Sequence, residues 1–157
     1  MIQALFILVS SIMISMPFTA AGSNQASPQQ ERGAGFSGAG AIAHEEIIDG
    51  VKATFKVLNM KESMLVHGVE MPRGIKETHH LAVVFRNAKS GRLLTEGQVR
   101  AKIIGPDHRE QIKDLAEMKG HFGVDVDLLK KGKYGIMVKF KIDDEMVRET
   151  RFWYTVK

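Results

Sequence analysis

The sequence predicts an all-β chain: a single immunoglobulin-like β-sandwich of about seven strands, preceded by a signal peptide and a flexible linker. Three observations carry this. Apolar residues alternate with period two over most of the chain after Val51. Short turn motifs separate the alternating runs, and no long amphipathic helix interrupts them. A small β-barrel is the other architecture that the same pattern fits.

The alternation can be followed run by run. Val51, Ala53, Phe55 and Val57 share a face opposite Lys52, Thr54 and Lys56. His79, Leu81, Val83 and Phe85 share another, opposite His80, Ala82, Val84 and Arg86. A turn at Lys89-Ser90-Gly91-Arg92 leads to Val99, Ala101 and Ile103, and Gly105-Pro106-Asp107 ends that strand. Phe122, Val124 and Val126 form the next run, and Tyr134, Ile136, Val138, Phe140 and Ile142 a longer one. Asp143-Asp144 reads as a hairpin turn before Phe152, Tyr154 and Val156. Residues Gln111 to Met118 lack this period and could form a helical turn. Gly132, two residues ahead of Tyr134, fits a tyrosine corner, in which the phenol bonds back to the backbone upstream; a Tyr simply packed in the core is the alternative.

The 157 residues suit one domain of ordinary size. With 25% charged residues and a net charge of +4, the Lys and Arg are interleaved with acids rather than gathered in a stripe, which argues against nucleic acid as a partner. There is no cysteine, so thiolate metal sites and thiol nucleophiles are excluded. Elbow, phosphate-loop, dinucleotide and zinc-protease motifs are all missing from the sequence, and the reading is of a protein that is not an enzyme.

The apolar stretch Ala4 to Met16 is shorter than the roughly 20 residues of a membrane span. It is followed by Pro17 and by Thr19-Ala20-Ala21, small residues suited to cleavage after Ala21. Residues 1–21 are therefore expected to be a signal peptide, with a periplasmic or secreted product. An uncleaved membrane anchor is the alternative, since no Lys or Arg precedes the stretch. Residues 22–43 are rich in Gly, Ser and Gln and read as a linker, and residues 44–157 as the folded domain.

Of the nine methionines, Met60, Met64 and Met71 fall in one short segment together with His67. Thr78-His79-His80 opens the next strand, and Met118-Lys119-Gly120-His121 repeats a Met–His pairing ahead of another. Thioether sulfur is a soft neutral donor suited to Cu(I), and imidazole binds both Cu(I) and Cu(II). The expected ligand set is Met64, His67, Met71 and His79, since one loop and the strand after it could bring them together. Met60, His80, Met118 and His121 are additional candidates, although His80 faces away from His79. Copper, Cu(I) favoured, is the cofactor this set points to; the same side chains also suit packing. A His ligand must be deprotonated, so affinity is expected to fall through the imidazole pH range.

The Met/His loop, the run Thr-His-His-Leu-Ala-Val-Val-Phe from Thr78 and the ending Leu-Leu-Lys-Lys-Gly-Lys-Tyr-Gly from Leu128 resemble exported YtkA-like and FixH-like domains. More broadly the chain is similar to CopC-type copper-handling sandwiches, over about Thr54 to Val156. The resemblance implies a small extracytoplasmic domain concerned with copper handling or oxidase assembly. CopC-type proteins place a ligand histidine near the mature N-terminus. Here no histidine precedes His44, and that site does not carry over.

The competing reading is a non-catalytic module that binds another envelope protein. Trp153 lies out of phase with Phe152 and Tyr154, so it should face outward as a partner-binding residue or lie covered by Lys stems.

Overall fold

The computed structural model describes residues 40–157. The expected signal peptide and all but the last residues of the expected linker lie outside these. Among the described residues no helix is long and apolar enough to cross a membrane.

Among the described residues nine strands and one short helix follow in order: β1 Ile42–Ile48, β2 Val51–Asn59, α1 Met60–Val66, β3 His79–Asn87, β4 Leu93–Leu94, β5 Gly97–Ile104, β6 Glu110–Glu117, β7 Phe122–Val126, β8 Gly132–Ile142 and β9 Arg148–Val156. All pairings are antiparallel, in the order β1-β2-β3-β7-β6-β5-β8-β9, with the two-residue β4 beyond β7 on the same edge of β3. The architecture is an all-β sandwich, and β6 is its corner. Residues Glu110 to Leu115 of β6 pair with β5, whereas Ala116 and Glu117 pair with β7. A strand that changes sheets in this way joins the two layers into one nearly closed sheet. The open side is bridged by side chains: Thr150 Oγ1 of β9 donates to Glu46 Oε2 of β1 at 2.5 Å, and the His44 ring stacks on Phe152 with centroids 4.9 Å apart.

The alternating residues of β2, β3, β5 and β8 meet in the interior. Phe55, Phe85 and Phe140 are fully buried, and the Phe85 ring lies 4.6 Å from Phe140 and 5.7 Å from Phe122. Each such ring contributes about 1.5–3 kcal/mol by leaving water. The tyrosine corner is present: the Tyr134 hydroxyl donates to the Lys130 carbonyl oxygen at 2.8 Å.

Two local expectations change. The Gln111 to Met118 stretch is strand β6 up to Glu117, and its side chains other than Leu115 are exposed or half-buried, so it lacks the apolar face that makes a strand legible. The segment after Asn59 is not all loop. Asn59 Oδ1 accepts from the Glu62 amide at 3.2 Å and caps α1, a helix that buries none of its residues. Met146 is exposed, and His44 is half-buried against Phe152.

Candidate metal centre

Period two sends the neighbouring histidines at the start of β3 to opposite faces, as expected. His79 enters the interior and is 5% exposed. Thr78 Oγ1 accepts from the Leu128 amide at 2.9 Å and is hydrogen-bonded to His79 Nδ1, 2.8 Å away. The His79 ring stands edge-on to Tyr154, with centroids 6.1 Å apart. Burial pushes its pKa down, with Glu62 and Asp127 opposing. These contacts describe a neutral histidine held in the wall of the core.

His80 lies on the outer face, directly across from Asp125 of β7. Its Nδ1 is 2.7 Å from Asp125 Oδ1. A carboxylate only accepts, so Nδ1 carries a proton and Nε2 is the edge turned away from Asp125. That edge lies over Gly123: a Cβ placed on Gly123 would meet His80 Nε2 at 2.5 Å and His121 Nε2 at 3.4 Å. The two rings are 6.0 Å apart between centroids and nearly perpendicular, at 81°.

The hairpin between β6 and β7 delivers His121 to this point. Lys119 and Gly120 both have positive φ, +49° and +95°, as a two-residue hairpin turn of matching twist requires. The Met118 amide donates to the His121 carbonyl at 2.7 Å, and Glu117 Oε1 accepts from the Gly120 amide. Beyond the turn, His121, Gly123 and Asp125 follow at period two and share one face. Burial, aided by His80, pushes the His121 pKa down, and Glu117 opposes. Met118 is paired with His121 across the turn, and residues so paired project from the same face.

The structure therefore brings His80 and His121 together, with Met118 on the adjoining turn. His79 is on the other side of its strand. Met60 and Met64 lie on α1, where both are half-buried; His67 caps its C-terminus and is exposed, and Met71 follows in the loop, half-buried. Among the described residues no three His, Cys, Asp or Glu side chains gather into a complete metal site. The outer face of β3 and β7 offers two imidazoles on a shared volume, one of them oriented by a carboxylate.

No family model matches the chain, and no curated protein matches it in sequence. Solved structures do resemble it. A copper-bound variant of FetP from uropathogenic Escherichia coli superposes with a TM-score of 0.56 at 10% identity, covering 73% of this chain and 94% of that one. The copper-reconstituted P19 protein of Campylobacter jejuni gives 0.51 at 15%, covering 74% and 97%. A DUF4426 family protein from Pseudomonas aeruginosa gives 0.53 at 13%, covering 72% and 96%. The fold is CopC-like. At these identities the likeness is one of fold, and nothing in it singles out the YtkA-like or FixH-like domains.

Gly123 and Asp125 were not among the residues that sequence reasoning selected. Their pattern, His-x-Gly-x-Asp from His121, becomes meaningful only once β7 is known to lie beside β3. Trp153 does face outward, at 66% exposure. Its ring covers Gly135, the residue across from it on β8, and Lys133 Nζ sits 4.6 Å from the ring centroid.

Proposed function

We propose that this chain is an extracytoplasmic copper-binding domain, non-catalytic, that holds the metal on the outer face of β3 and β7. The observation that carries the reading is the pair His80 and His121, whose Nε2 atoms converge over Gly123. Imidazole nitrogen is a good donor to copper in both oxidation states. The CopC-like fold adds support, since FetP and P19 with this fold have copper-bound forms. An export leader over residues 1–21 would take the domain to the periplasm or cell surface, where a cysteine-free site tolerates oxidising conditions. Two protein donors leave coordination positions open to Met118, water or an acceptor protein, an arrangement suited to delivery rather than storage.

The test is titration of the chain with Cu²⁺ followed by electron paramagnetic resonance, and with Cu(I) anaerobically against a chromophoric chelator. A stoichiometric site lost in both His80→Ala and His121→Ala supports the reading. Loss instead in His67→Ala or Met71→Ala would move the metal to α1 and the loop after it, with Met64, His67 and Met71 as its donors. No binding in either oxidation state would leave the envelope-protein module, with Trp153 as its contact. The exposure of Trp153 favours that second reading.

A further inference from the structure

We infer that Asp125 is the positioning residue of the His80–His121 site, and that Gly123 provides the space the site needs. The carboxylate holds the His80 ring by its Nδ1 edge, so that Nε2 points over Gly123 toward His121. The inference rests on the metal-binding reading above and adds the tautomer on which that reading depends.

A neutral imidazole carries one proton, and its other nitrogen is the metal donor. A ring free to choose would divide itself between the two tautomers. Asp125 removes the choice, because its Oδ1 lies 2.7 Å from Nδ1 and can only accept. The geometry is set by the backbone: His80 and Asp125 are directly paired residues of β3 and β7, so their side chains rise together from the same face. A carboxylate in this place also makes the ring a stronger donor to a cation.

Gly123 completes the arrangement by what it lacks. It stands between His121 and Asp125 on the same face of β7, and it is buried beneath the two rings. A methyl group there would lie 2.5 Å from His80 Nε2 and 2.8 Å from Cε1. Those contacts fall on the donor edge, in the volume a bound ion would take. The ring cannot swing clear without leaving Asp125. The donors are imidazoles backed by a carboxylate, a set that suits a borderline divalent cation; Cu²⁺ is the probe of choice.

The experiment uses the full chain. Nitrogen-15 spectra of the imidazoles are recorded without metal at about pH 8, above the ordinary imidazole range. Cu²⁺ affinity is measured in parallel. We expect His80 as the Nδ1–H tautomer in the wild type and in Asp125→Asn, whose amide oxygen still accepts. In Asp125→Ala the Nε2–H form should grow, and Cu²⁺ affinity should fall about 10–100-fold. Gly123→Ala should lose Cu²⁺ binding while keeping the circular dichroism of the sandwich; if it does not fold, the Asp125 pair decides alone. An unchanged His80 tautomer in Asp125→Ala overturns the inference whatever copper does. A wild type that takes no Cu²⁺ overturns the copper reading instead, so the two failures are distinguishable.

Discussion

The Tyr134 hydroxyl closes on a single residue, Lys130, donating to its carbonyl oxygen at 2.8 Å and accepting from its amide at 3.1 Å. Both backbone groups lie in the tight connection between β7 and β8, where no strand partner is available to them. The ring itself is 3% exposed, so the phenol carries the interior of the sandwich up to the loop.

Tyr134→Phe keeps the ring and removes both bonds. Leaving two loop groups short of partners should cost about 1–3 kcal/mol. Urea denaturation should show a lower midpoint with an unchanged slope. An unchanged midpoint would mean that water replaces the phenol at no cost.

Gly97→Ala should be more damaging than its position at a strand start suggests. Gly97 has φ of +153° and sits across from Ile142. A Cβ there would overlap the Lys141 carbonyl oxygen and come within 2.8 Å of the Ile142 side chain. The carbonyl belongs to the β8 backbone and cannot move aside, so a loss of about 2 kcal/mol or more is expected. Thermal unfolding measures it.

How much of this could be read in advance depends on what each residue faces. The runs in β2, β3 and β8 bury every second side chain, and there the sequence pattern and the strand coincide. Strand β6 buries only Leu115 and exposes Ile112, because it turns the corner between layers, and its period was lost. Helix α1 is capped by Asn59 through the Glu62 amide, but its apolar residues Leu65 and Val66 are exposed, so the sequence carries no helical stripe there. The same distinction applies to the site. That His79 and His80 diverge follows from period two within one strand. That His80 meets His121 and Asp125 follows from which strands are neighbours, and no counting along the chain contains that.

Arg148 offers a test of a buried charge. It is 4% exposed, bonds Asp144 through both terminal nitrogens at 2.8 Å, and reaches the Met146 carbonyl. Its Nε is buried with no hydrogen-bond partner. Arg148→Met keeps much of the volume and relieves the unpaired Nε–H, while Asp144, which is exposed, returns to water. The loss should therefore be only about 1–2 kcal/mol, well short of the 3–5 typical when a buried partner is stranded. A larger loss, read from the urea midpoint, would show that the arginine also organises the turn between β8 and β9.

The interior histidine should make stability depend on pH. Burial holds His79 below the ordinary imidazole value of 6.5, and His121 is displaced in the same direction, burial again first among the causes. In the unfolded chain both rings take up protons near 6.5, whereas the folded chain resists until the pH is lower. Within that window the unfolded state binds more protons, so stability is greatest above it and falls as pH drops through 6.5. The fall ends once the pH passes below the folded values, because both states are then protonated. Metal-free protein should show a declining urea midpoint from about pH 7.5 to about pH 5.5, above most carboxylate titration. His79→Gln should flatten part of that slope, since the amide can hydrogen-bond Thr78 and takes up no proton. A wild-type midpoint that holds level or rises over this interval would mean that the folded chain accommodates the charged His79 ring at no cost.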